Sequence, residues 1–160
     1  MMILQKLNWC SRSLAAEFQT ADIHQKVQSQ MTREEHIKYW RESAQHDIES
    51  SEIIFNSERY DWCLFVGHLA LEKILKAIFV DRNDNNIPPK IHNLVRLAEL
   101  SGIELCEEQK FSLDRINDFN IQTRYPDYRL EFYKRCNADY TTIHFAKIKE
   151  FYTWFKSLLK

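Results

Sequence analysis

The stretch Asp61–Val80, DWCLFVGHLALEKILKAIFV, constrains this chain more than any other. It is apolar on nearly every side from Trp62 to Leu71. A helix of that kind belongs in the middle of a bundle, where each face meets another helix. His68, Glu72 and Lys76 interrupt it at intervals of four, and Asp61 precedes His68 by one helical repeat. At about 100° per residue these four fall on one stripe. A central helix with a single polar seam either pairs those groups internally or opens the seam to a partner or a cleft, because unpaired buried polar groups are costly.

Only two glycines and three prolines occur in 160 residues. So few turn-formers argue against a sandwich or barrel and for long helices with few connections. The expectation is an all-α antiparallel bundle of about five helices in one domain. A net charge of −1 offers no global basic excess that would announce nucleic acid. Cys10, Cys63, Cys106 and Cys136 are scattered without CxxC or zinc-ligand spacing, so free thiols and no metal are expected. There is no Gly-rich phosphate loop and no Ser/His/Asp set, so no cofactor is expected. Neither a signal peptide nor a bilayer-length apolar run is present, which leads us to expect a cytoplasmic protein without a membrane segment.

Residues 1–30 read as a poorly defined N-terminal extension or an alternative-start appendage, with room for a short helix around Ser13–Gln28. Thr32 and Glu35, just after Met31, fit a capping box, so residues 31–160 are taken as the bundle. The first helix is predicted over Arg33–Asn56, with Ile37, Trp40, Ala44, Ile48, Ser51 and Phe55 on its core face. The short Ser57–Tyr60 link makes the second helix, Asp61 to about Asp81, its antiparallel neighbour. Pro88 and Pro89 mark a loop. A third helix starts at His92 or Asn93 and stops at Gly102; a fourth runs from Glu107 to about Phe119, with Phe111, Leu113, Ile116 and Phe119 inward. Asn120–Arg129 is predicted to break it, since Pro126 disfavours helix at Tyr125. The last helix spans about Asn137–Leu159, and its excess of aromatics suggests a face for a second subunit. No repeat, low-complexity run or strand-like alternation is present.

Tyr39-Trp40, Ala44, Asp47-Ile48 and Ser51 in the first helix are followed by Tyr60-Asp61 and by His68-Leu-Ala-Leu-Glu-Lys-Ile-Leu-Lys-Ala77. After the proline loop come His92-Asn-Leu and Arg124-Tyr-Pro-Asp127. In that order these pieces resemble a HEPN domain, of the branch often encoded beside a minimal nucleotidyltransferase. The resemblance implies a helical bundle that pairs as a homodimer, partners a nucleotidyltransferase in toxin–antitoxin or defence-type systems, and binds nucleotide or nucleic acid. Many HEPN proteins are metal-independent ribonucleases, with an arginine, four to six intervening residues and a histidine in a late helix. This chain lacks that pair, because Arg135 and His144 are too far apart. Arg41 and His46 have the spacing but lie in the first helix. The expectation is a non-catalytic interaction module. The alternative is a ribonuclease with a displaced acid/base set drawn from His68, His92, Arg124, Arg41 and His46.

For His68, Glu72, Lys73 and Lys76 one reading is a seam that binds a phosphate-bearing ligand or partner, with the lysines as anchors. The other is internal hydrogen bonding with Lys73 and Lys76 snorkelling outward. Arg124, Tyr125 and Asp127 either line a ligand cleft, with Arg124 holding phosphate by its planar fork, or form a structural turn. His92 either transfers protons near neutral pH or packs the loop against a helix start. Lys134, Arg135, Lys147, Lys149, Lys156 and Lys160, interleaved with Tyr133, Tyr140 and Tyr152, are either a nucleic-acid-facing surface or a solvated face.

Overall fold

A computed structural model of the chain describes residues 31–83, 87–125 and 130–159. The expected extension over residues 1–30 lies outside them, and Arg33–Lys160 forms one compact unit. Among the described residues there are six helices and no strand. They are α1 (Arg33–Asn56), α2 (Tyr60–Arg82), α3 (Leu94–Leu100), α4 (Glu107–Arg124), α5 (Glu131–Arg135) and α6 (Ala138–Ser157).

The apolar stretch takes the central place its composition demands. α2 packs against α1, α6, α4, α3 and α5, and Leu64, Leu71, Ile74, Leu75 and Ile78 are wholly buried. The α1–α2 link is tight enough to put Glu58 at φ 59°, and α2 returns antiparallel along α1. One consequence is that Arg33, at the start of α1, reaches the end of α2. Its Nε donates to the Val80 carbonyl at 3.1 Å, and a second guanidinium nitrogen donates to the Asp81 carbonyl. Carbonyls that a helix end leaves without partners are thereby satisfied. Where α2 crosses α6, Gly67 permits close approach: a Cβ there would stand 3.0 Å from Ile148 Cδ1. On α6, Phe145, Ile148, Phe151, Tyr152 and Phe155 are buried and Tyr140 is half-buried, as is Leu159 just beyond the end of the helix. Asn137 caps α6 by accepting from the Tyr140 amide.

Three expectations need correction. First, α4 does not break at Asn120 but continues to Arg124, and Asn120 and Thr123 are buried on it. Proline restricts only the residue directly before it, and that residue, Tyr125, is the C-cap. Second, a short helix, α5, follows the Arg-Tyr-Pro-Asp segment; its Phe132 stacks on Phe119 with ring centres 5.8 Å apart. Third, Phe111 does not face inward and is 64% exposed. The buried stripe of α4 runs through Leu113, Ile116, Phe119, Asn120 and Thr123, and Phe111 falls off its edge.

Candidate functional site

His68 sits midway along α2 and is fully buried. Its Nε2 lies 3.1 Å from the His92 carbonyl oxygen, which can only accept, so Nε2 carries the proton and donates. Its Nδ1 then accepts from the Asn120 side-chain amide at 3.2 Å. Both ring nitrogens are engaged and the tautomer is fixed by its partners. Burial, only partly offset by the nearby Glu72 charge and the bond to the His92 carbonyl, pushes the pKa of His68 down from 6.5 to about 4.

One turn on, Glu72 is also buried. Lys76 Nζ donates to its Oε1 at 2.7 Å, and His92 Nδ1 donates to its Oε2 at 2.9 Å. Burial opposes the charge of Glu72, but these two donors prevail and hold its carboxyl below the ordinary range. Lys76 is buried too and does not snorkel outward; its ammonium lies 5.1 Å from the centre of the Trp40 ring. The preceding lysine of the helix, Lys73, pairs with Asp47 of α1 at 2.6 Å. The seam therefore ties α2 to α1 on one side and to the residues preceding α3 on the other.

Each residue of the His92-Asn93-Leu94 segment has a definite task. The His92 carbonyl holds His68 and the His92 ring holds Glu72. Asn93 caps α3 by accepting from the Arg96 amide at 2.8 Å. The Leu94 amide donates to Asn117 of α4 at 2.9 Å, and the Leu94 side chain is fully buried. The His92 side chain itself is 62% exposed, so Glu72 communicates with solvent through one imidazole.

Arg124 joins this network at one remove. Its Nε donates to the Asn120 carbonyl at 2.9 Å, on the same residue whose amide holds His68. Its guanidinium lies 5.9 Å from the Phe65 ring centre and 5.6 Å from that of Tyr125. Tyr125 is exposed, and Asp127 lies outside the described residues. Asp61 stands apart from His68 and Glu72, at the first turn of α2, where its carbonyl accepts from Thr123 Oγ1 at 3.2 Å. Arg41 and His46 are both exposed, and five residues of helix turn their side chains about 140° apart. The structure thus brings together His68, Glu72, Lys76 and His92, with Arg124 adjoining, and does not bring Arg41 to His46. Lys134, Arg135, Lys149 and Lys156 are exposed.

Sequence reasoning missed Asn117 and Asn120, because it placed Asn120 in a loop. The signal was present: Leu113, Ile116, Asn117 and Asn120 recur at the three-and-four spacing of one helix face. Among the described residues no three His, Cys, Asp or Glu gather as they would around a metal ion. No helix among them is long and apolar enough to cross a membrane.

The depressed pKa of His68 has a measurable consequence. The unfolded chain binds this proton near pH 6.5 and the fold only near 4, so the contribution is fully present above 6.5 and is lost as pH falls towards 4. The expected loss is ~3 kcal/mol across that window. Glu72, also depressed, adds to the loss at the acid end. Urea unfolding at pH 7, 5.5 and 4 checks the size and sign, and His68→Gln should flatten the profile.

The sequence matches the HEPN domain family over residues 37–158. The fold is similar to the crystal structure of TT1696 from Thermus thermophilus, with a TM-score of 0.66 and 17% identity, over 77% of this chain and 98% of that one. No curated protein matches the chain.

Proposed function

The chain belongs to the HEPN domain family, and from that premise we propose that it is a non-catalytic interaction module. In this reading the bundle of residues 31–160 pairs as a homodimer in the cytoplasm. It partners a minimal nucleotidyltransferase in a toxin–antitoxin or defence-type system and offers a surface to nucleotide or nucleic acid. Residues 1–30 are an appendage to it.

The observation that carries the non-catalytic reading is the state of His68. A general base needs a free lone pair within reach of its substrate. His68 is wholly buried, its Nε2 proton is committed to the His92 carbonyl and its Nδ1 lone pair to Asn120. Arg41 and His46, the residues with the ribonuclease spacing, diverge on the surface of α1 and cannot act on one phosphate from a single copy. The exposed His92 is occupied as a donor to Glu72 on the nitrogen that faces the bundle.

The test has two arms. Incubation with total RNA in the presence of a chelator should give no cleavage above a buffer control. Cleavage that disappears in His92→Ala or Arg124→Ala would instead establish the displaced acid/base set. Co-expression with a small nucleotidyltransferase encoded in the adjacent reading frame should yield a joint complex, and the bundle alone should scatter light as a dimer. A monomer that leaves such a partner unbound overturns the proposal.

A further inference from the structure

α2 packs on the five other helices, yet one side of its first half stays open. Cys63, Leu64, Gly67 and His68 are buried. Trp62, Phe65, Val66 and Leu69 are not: Trp62 is 48% exposed and the other three are half-buried. Their spacing of three and four places them on one stripe of the helix. The stripe stops at Lys73, where Asp47 of α1 meets it at 2.6 Å. At its other end it runs into a cleft of about 500 Å³ lined by Ile54 of α1, Arg59, Asp61, Trp62 and Tyr133 of α5. A contiguous apolar stripe on the helix that carries the core is the kind of exposed surface that marks an interface.

We propose that this stripe and cleft are the face on which a second copy of the chain seats, about a two-fold axis at the Arg59–Asp61 end. Trp62 of each copy covers the cleft of the other, and Arg59 of each lies beside the partner's Asp61. The inference rests on the reading that the bundle pairs as a homodimer, and adds where the two copies meet.

Charge chooses the occupant. A face of one sign calls for a partner of the other sign and repels its own copy. This cleft holds one cation and one anion, two residues apart in the chain, on walls that are otherwise Ile54, Trp62 and Tyr133. A two-fold axis turns that arrangement into two reciprocal ion pairs around an apolar centre, because in such an interface each residue meets its opposite number twice. Tryptophan at the centre is the common anchor of such faces. Arg124, whose guanidinium lies over Phe65, borders the stripe on the α4 side and stays at the rim, where a charge keeps its water. The aromatic face of α6, where the sequence suggests a second subunit, is largely spent inside the protomer, with Phe145, Phe151, Tyr152 and Phe155 buried.

The measurement is sedimentation equilibrium of the full chain, with circular dichroism to confirm that each variant is folded. Wild type should be a dimer. Arg59→Glu gives each cleft two carboxylates and Asp61→Arg gives it two guanidiniums, so each variant alone should dissociate about tenfold or more readily. Mixed together, the two should pair with each other at close to wild-type strength, a rescue that only reciprocal Arg59–Asp61 contacts explain. Trp62→Glu, at an exposed position, should also dissociate the dimer by about tenfold or more, and it supplies the reading if Asp61→Arg disturbs the first turn of α2. Phe111→Glu, at an exposed aromatic of α4 away from this face, should leave the dimer intact. A wild-type dimer that survives Trp62→Glu and both charge variants, or that Phe111→Glu dissociates equally, overturns this face and leaves the homodimer reading standing. A monomeric wild type overturns both.

Discussion

Replacing His68 with phenylalanine is expected to destabilise the fold by about 2–6 kcal/mol, on the scale of one to three for each buried polar group left without its partner. The two rings are similar in size, so little cavity opens and packing is not the main loss. What is lost is a donor to the His92 carbonyl and an acceptor for the Asn120 amide, both inside the bundle. Loss at these two points should also free the segment that precedes α3. A shift of the urea midpoint to lower concentration, with an unchanged slope, is the expected readout. His68→Gln should recover part of the loss, because its amide can still donate toward the carbonyl. If His68→Phe were as stable as wild type, the histidine would not be the internal tie that its geometry indicates.

The second large effect lies one turn along the same helix. Glu72→Leu should cost about 3–5 kcal/mol, since it leaves Lys76 buried without its carboxylate. It also removes the acceptor of His92. The companion change Lys76→Met removes the orphaned charge, and the double variant should be clearly more stable than the sum of the two single losses predicts. A double-mutant cycle in urea measures this coupling. Simple additivity would mean that the pair contributes nothing as a pair. The Trp40 ring beside Lys76 makes the comparison informative, because methionine can keep the contact with the ring while losing the charge.

Much of the fold was legible because the helices announce themselves at their ends. Asn93 before α3, Asn137 before α6 and Gly102 after α3 punctuate the chain, and Gly102 adopts φ 67°. The three-and-four spacing of apolar residues on α1 and α6 revealed their buried faces, with Ala44, Ile48, Ser51, Phe145 and Ile148 all inside. Legibility failed around Asn120–Arg135. Pro126 acts only on Tyr125, so a break placed at Asn120 comes several residues too early, and the five-residue α5 is too short to declare a period. The error fell on the site, since Asn120 and Arg124 are placed by the last turns of α4.

The sequence by itself determined that Asp61–Val80 is a central helix and that His68, Glu72 and Lys76 lie on one side of it. Periodicity is a property of the chain alone, so the stripe could be read without a neighbour in view. It could not say what the stripe faces. That depends on His92 and Asn120, which are 24 and 52 residues from His68 and reach it only when α4 and the segment before α3 pack on α2. Only the tertiary structure could seal His68 between a carbonyl and an amide, turn Lys76 inward to Glu72, and bring Arg124 beside Phe65. The physical reason is that a buried polar group is defined by its partners, and these partners belong to other helices.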